Sequence, residues 1–206
     1  VQARTQFLNS GGYAFLKQEL VNLTKKYDSH VLCDLGCGEG YYTSGFQAEE
    51  KYGFDMSKEA LKHASKNDPS TQYAVASIFR LPLEDASCDT AVTCFAPFAK
   101  DEIERVLTQG GRFFFVSPGP KHLFELKQLI YDTPYENEVK DLETTLIKEE
   151  EYFISNTFHC EKENLISLFK MTPYYHRTRN EDIDKINHQD GMDITAEFLI
   201  RVYQKR

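Results

Sequence analysis

The sequence predicts an α/β fold around a mostly parallel sheet, and three observations carry that prediction. Short apolar runs alternate with amphipathic stretches along the first two thirds of the chain. A glycine-rich segment, Asp34-Leu-Gly-Cys-Gly-Glu-Gly40, follows one of those runs directly. An acid, Asp55, ends the next run twenty-one residues after Asp34.

The elements follow in order. Residues 7–27 carry Phe7, Leu8, Phe15, Leu16, Leu20, Leu23 and Tyr27 at helical spacing, which predicts a leading helix. His30–Leu35 is a short apolar run closed by glycine, the pattern of a buried parallel strand. Residues 41–49 read as a helix and Tyr52–Asp55 as a second strand. Ser57 suits an N-cap, with Glu59 in the first turn, for a helix running to about Lys66. Asn67-Asp-Pro-Ser70 ends that helix, and 72–76 makes a third strand. Residues 89–95 form a fourth strand, 100–107 a helix with Ile103, Val106 and Leu107 inward, and 112–117 a fifth strand after the Gln109-Gly-Gly111 turn. A helix with Leu123, Leu126, Leu129 and Ile130 follows Pro118-Gly-Pro120. Beyond it, 151–159 and 193–204 read as strands with a helix at 161–170 between them.

Composition narrows the class. Hydrophobic residues at 41% and charged residues at 27% are ordinary for a globular chain and exclude a disordered or fibrous one. The longest apolar runs, such as Phe113–Val116, fall far short of a membrane span, so no membrane partner is expected. No signal-peptide pattern opens the sequence. The five cysteines, at 33, 37, 88, 94 and 160, form no C-x-x-C pair, which predicts buried reduced thiols, no metal site in this chain and a cytoplasmic location. A net charge of −8 argues against a long nonspecific grip on nucleic acid but leaves room for a small basic patch.

The glycine loop lets a ligand lie against backbone, and an acid at the end of the next strand suits the two hydroxyls of a ribose. A dinucleotide fingerprint starting at Gly36 would require glycine at 41, where this chain has Tyr41. No P-loop lysine with serine or threonine follows either. A nucleoside cofactor without a pyrophosphate, such as S-adenosylmethionine, fits the loop better.

Asp34–Gly40, Asp55, Arg80–Leu83, the acids Asp85 and Asp89, and Gln109–Gly111 resemble, in order, the motifs of class I methyltransferases. The resemblance implies a Rossmann-like seven-stranded sheet, mostly parallel with an antiparallel last strand, helices on both faces, and S-adenosylmethionine as cofactor. Gln2-Ala-Arg4, Phe7-Leu8, Tyr13, Leu35–Thr43, Phe95-Ala-Pro97, Pro118–Leu123, Glu125–Lys127, Leu129–Tyr131 and Met171–Pro173 are similar to the bacterial 23S ribosomal RNA (guanine-N1)-methyltransferases. That family carries zinc in an N-terminal four-cysteine module, so such a module is expected upstream of Val1. The resemblance implies large-subunit ribosomal RNA as partner, and a homodimer stays open.

The family pattern also implies residue roles. Asp34 is expected at the methionine end of the cofactor, with Gly36, Gly38 and Glu39 against it, Asp55 on the ribose, and Tyr13 and His122 as covering residues. Ser77 stands where relatives often place an aspartate for the adenine amine, so the backbone of 76–78 is expected to serve there. Phe95, Ala96, Pro97 and His122 are the target-positioning candidates, with Tyr41, Phe95 or Phe98 beneath a splayed base. The sequence assigns no catalytic base. Arg4, Lys121, Arg177 and Arg179 are the RNA-binding candidates, the last two in the aromatic and basic stretch Tyr174–Arg179. The whole chain reads as one methyltransferase domain, with 1–28 a helical lead-in and 29–206 the α/β core. Two alternatives remain at this stage: a methyltransferase for a metabolite or quinone, and a noncatalytic module that binds cofactor or RNA.

Overall fold

The computed structural model describes residues 2–206. Its seven strands are β1 (Val31–Leu35), β2 (Glu50–Asp55), β3 (Gln72–Val75), β4 (Cys88–Cys94), β5 (Leu107–Pro118), β6 (Ile147–Glu161) and β7 (Gly191–Gln204). They form a sheet in the order β3-β2-β1-β4-β5-β7-β6. The pairs β1–β2, β1–β4, β2–β3 and β4–β5 are all parallel. β7 runs the other way: Gly110 and Gly111 exchange backbone bonds with Lys205, while Gly119 N–H reaches Glu197 O. Thr157 faces Thr195 and His159 faces Asp193, so β6 is antiparallel to β7 as well. A mostly parallel sheet with an antiparallel last strand is the expected architecture.

The helices are α1 (Gln2–Asn9), α2 (Ala14–Lys26), α3 (Lys58–Asn67), α4 (Lys100–Val106), α5 (Phe124–Ile130), α6 (Lys162–Met171) and α7 (Asn180–Asn187). Ser57 caps α3 as expected, its Oγ accepting from Ala60 N–H at 3.2 Å. Three expectations need correction. The leading helix of 7–27 is two helices, because Gly11 turns at φ +88°. Gly12 leaves no room for a side chain there, since a Cβ would stand 2.6 Å from the Phe7 ring. Residues 41–49 hold only the 3-10 turn Thr43–Gly45. The amide of Gln47, which a continuing helix would bond to Thr43 O, donates instead to Thr24 Oγ1 at 3.1 Å. Finally, α7 was not expected; its sequence Asn-Glu-Asp-Ile-Asp-Lys-Ile-Asn buries only Ile186.

The residues group into two compact units. One comprises 16–117, 140–153 and 199–206; the other comprises 2–15, 118–139 and 154–198. In the first, Cys33, Leu35, Phe54, Ala91, Ile103, Val106 and Phe113 form the core between β1, β2, β4, β5 and α4. Asp89 ties β4 to β1, its carboxylate accepting from the amides of His30 and Val31. In the second unit, α1 packs on α6 and α5 on α7. All five cysteines are buried, and none is in a disulfide. No helix among the described residues is long and apolar enough to cross a membrane.

Candidate active site

In the first unit the strand order reverses at β1, with β2 and β3 to one side and β4 and β5 to the other. A ligand of an open α/β sheet sits beyond the carboxyl ends of the strands at such a switch point. The loop after β1 is shaped for one. Gly36, Gly38 and Gly40 take φ of +81°, +58° and +75°, in the left-handed region where a side chain is strained. Gly36 also lies so near the segment after β4 that an added Cβ would stand 2.7 Å from Ala96 Cβ. The amides of Gly36 and Cys37 donate to Phe54 O at 2.8 and 3.0 Å, binding the loop to β2.

Asp55 ends β2 beside that loop. Its two oxygens accept from the Gly38 amide at 2.9 Å and the Ser57 amide at 2.8 Å. Those bonds fix the carboxylate plane and leave each oxygen a second lone pair, the arrangement a ribose diol requires. Asp34 is buried in β1, and its Oδ2 accepts from the Thr43 hydroxyl at 2.5 Å. Glu39 is half-buried in the loop. Ser77 follows β3; its Oγ accepts from Phe79 N–H at 3.2 Å, and its backbone bridges to Arg80. Met56 and Phe79 escaped the sequence reading. They flank Asp55 and Ser77 in the chain as large apolar side chains left 69% and 61% exposed. An isolated apolar residue after an acid is the faint signal that was there to read.

After β4 the chain passes through Phe95 at φ +66°, a strained conformation for a bulky residue. The Phe95 amide donates to Val116 O at 3.0 Å, which holds the backbone there while the ring stays 37% exposed. Tyr42 stands 6.3 Å from the Phe95 ring and 5.0 Å from that of Tyr41. Lys17 Nζ lies 4.7 Å over Tyr41. Ala96 and Phe98 are half-buried and Pro97 is exposed. Asp85 pairs with Arg105 at 2.9 Å, a surface contact remote from the loop in sequence.

The second unit holds the remaining candidates. Tyr13 and His122 are both buried, with Tyr13 Oη 3.3 Å from His122 Nε2. Phe7 and Phe198 box Tyr13 edge-on at 4.9 Å each. Burial drives the His122 pKa down to about 3 against the pull of the Glu197 backbone, and burial also pushes the Tyr13 phenol up. Both are therefore uncharged at neutral pH. The elbow carrying His122 is fixed by Gly119 N–H to Glu197 O at 2.8 Å and Lys121 N–H to Glu197 Oε1 at 2.9 Å. Arg4 is half-buried, whereas Lys121, Arg177 and Arg179 are exposed. Tyr174, at the head of the aromatic and basic stretch, is buried and so offers no free face for a base.

Comparison with known proteins finds likenesses of sequence and of fold. A family described as a methyltransferase domain matches residues 33–115. The 23S rRNA (guanine(748)-N(1))-methyltransferase of Streptomyces fradiae is 34% identical over 135 residues, covering 61% of this chain and 48% of that protein. YxjB of Bacillus subtilis (strain 168), provisionally named as a 23S rRNA (guanine-N1)-methyltransferase, is 28% identical over 91% of this chain and 71% of its own length. The chain thus spans about half of the first relative and most of the second. A malonyl-[acyl-carrier protein] O-methyltransferase of Hahella chejuensis also matches, 28% identical over 61% of this chain and 50% of that protein. Among solved structures, the YcgJ protein of Bacillus subtilis superposes with a TM-score of 0.60 at 16% identity, covering 92% of this chain and 98% of that one. Strand order, glycine loop and sequence agree: the chain has the class I methyltransferase fold, its residues 33–115 match a methyltransferase domain, and its sequence is similar to 23S rRNA (guanine-N1)-methyltransferases.

Proposed function

We propose that this methyltransferase acts on N1 of a guanine in a stem-loop of 23S ribosomal RNA. The observation that carries the substrate is the sequence match to two proteins so named, one of them across 91% of this chain. The residues of the loop fit the cofactor: Asp55 grips the ribose, Asp34 meets the amino-acid end, Gly36, Gly38 and Glu39 line the chain between, and the 76–78 backbone meets adenine. Met56 and Phe79 shield the adenine faces. When bound, S-adenosylmethionine would supply an electrophilic methyl on a sulfonium sulfur for guanine N1, with S-adenosylhomocysteine as the leaving group and the N1 proton passing to solvent.

The protein's task in such a displacement is alignment. Phe95, with Tyr41 and Phe98 nearby in sequence or space, offers ring surface for a base taken out of its stem. Ala96 and Pro97 bring backbone to its edge. His122 does not serve as the proton acceptor in this account, because a group titrating at about 3 is too weak a base to take a proton from guanine N1. Its hydrogen bond to Tyr13 makes the pair a buried brace for the elbow after β5. Lys121, Arg177 and Arg179 supply phosphate contacts from an otherwise acidic protein, with Arg4 a further contributor. The match to a malonyl-[acyl-carrier protein] O-methyltransferase favours the carboxylate of a short carried acyl group as the second reading. Ribosomal RNA from a strain lacking the gene distinguishes the two. The RNA reading expects one N1-methylguanosine to vanish and to return on complementation; its undiminished presence favours the second reading.

A further inference from the structure

Beneath the glycine loop lie three polar side chains that strand pairing and capping leave unexplained: Thr43, Lys51 and Asp68, all buried. Asp68 stands just past α3 and accepts from Ser70 Oγ at 2.5 Å, Thr71 Oγ1 at 2.6 Å and Lys51 Nζ at 3.0 Å. Burial alone would raise its pKa, but those donors win and hold it down at about 2. Lys51, on β2, also gives a bond to Thr43 O at 3.3 Å. The Thr43 hydroxyl in turn donates to Asp34 Oδ2 at 2.5 Å. Four groups from the α3–β3 turn, β2, the 3-10 turn and β1 therefore form one continuous chain.

We propose that Thr43, backed by the Lys51–Asp68 ion pair, is a positioning residue that sets the Asp34 carboxylate for the amino-acid end of the cofactor. The inference rests on the role given to Asp34 under the proposed function. Each link has a physical cause. A buried ion pair is costly to desolvate and survives only with further hydrogen bonds, which Ser70, Thr71 and the Thr43 carbonyl supply. Lys51 thereby pins the Thr43 backbone. Threonine is β-branched and stiff at χ1, so a pinned backbone aims its hydroxyl in one direction. That hydroxyl then holds one carboxylate oxygen, and the plane of Asp34 follows. The segment Asn67–Ser70, which in sequence merely ends a helix, so becomes the far anchor of the cofactor site.

A ligand pair separates positioning from plain structural support. S-adenosylhomocysteine carries the amino-acid tail; 5′-methylthioadenosine has the same adenine, ribose and sulfur without it. Calorimetry on the full chain is expected to show Thr43→Val weakening S-adenosylhomocysteine by roughly 10-fold while 5′-methylthioadenosine binds as before. Thr43→Ser, which keeps the hydroxyl without the branch, should restore most of the affinity, and Lys51→Met should reproduce a smaller loss with the same selectivity. Combining Thr43→Val with Asp34→Asn should cost no more than Asp34→Asn alone. Equal weakening of both ligands, or no weakening of either by Thr43→Val, would overturn the proposal. Should Thr43→Val fail to fold, Thr43→Ala with Thr43→Ser gives the same comparison. Asp34→Asn binding S-adenosylhomocysteine normally would overturn the assignment of Asp34 itself, a failure distinct from that of the relay.

Discussion

Asp55 and His122 show how far a single residue can be read before its surroundings are known. The ribose role proposed for Asp55 rests on its place after a strand, twenty-one residues past Asp34, and the structure adds that both its oxygens are already oriented by backbone amides. Asp55→Ala is therefore expected to weaken S-adenosylmethionine binding by about 1–3 kcal/mol, the scale of charge-assisted hydrogen bonds. Calorimetry checks this, and an unchanged dissociation constant in a folded variant would remove the ribose role. His122 is different, because sequence cannot reveal burial. A histidine at 6.5 unfolded and about 3 folded binds fewer protons in the native state throughout that interval. Its contribution to stability is present above 6.5 and is lost as pH falls toward 3. Stability measured by denaturant between those limits should decline with acid in the native protein and decline less steeply in His122→Asn. Identical slopes would show that the imidazole is not held neutral.

Elements were legible where local chemistry decides them. β1, β2 and β4 announce themselves as apolar runs bounded by glycine or acid, and α3 by its serine cap. Ser57→Ala should cost about 0.5–2 kcal/mol in thermal or chemical unfolding, the usual loss for a removed cap; no loss would mean the Ala60 amide finds another acceptor. The misread elements depend on distant partners. The stretch after Gly40 has helical composition, yet the Thr24 hydroxyl takes the Gln47 amide and Lys51 binds the Thr43 carbonyl, so the helix stops at one turn. The division of α1 from α2 depends on Phe158 as well as Phe7 crowding Gly12, and Phe158 lies almost 150 positions away. α7 lacks the apolar stripe that would reveal it. For the site, the glycine loop and its acid were readable because they sit within one strand-loop-strand unit. Met56, Phe79 and the Thr43–Lys51–Asp68 relay were not, since exposure and long-range hydrogen bonds have no period in sequence.

At the scale of the whole molecule, an acidic protein of net charge −8 is proposed to bind a polyanion. That requires the basic residues to act locally, because each neutralised phosphate adds to the salt dependence of binding. Arg177→Ala combined with Arg179→Ala should weaken ribosomal RNA binding and lower the slope of log affinity against log salt by about 1–2. Cofactor affinity should hold; an unchanged slope would place the RNA elsewhere. The glycine loop, the strained Phe95 and the following Ala96-Pro97 lie at the carboxyl ends of β1 and β4, where the proposed function has the methyl donor and the acceptor base meet. The measurement that tests this most directly is transfer of a labelled methyl group from S-adenosylmethionine to unmodified 23S ribosomal RNA by the purified protein, followed by digestion and nucleoside analysis. The account predicts that the label appears in N1-methylguanosine at a single position and that Asp55→Ala slows its appearance when the cofactor is limiting. Label in any other nucleoside, or transfer to the carboxylate of a short carried acyl group with none to RNA, would contradict it.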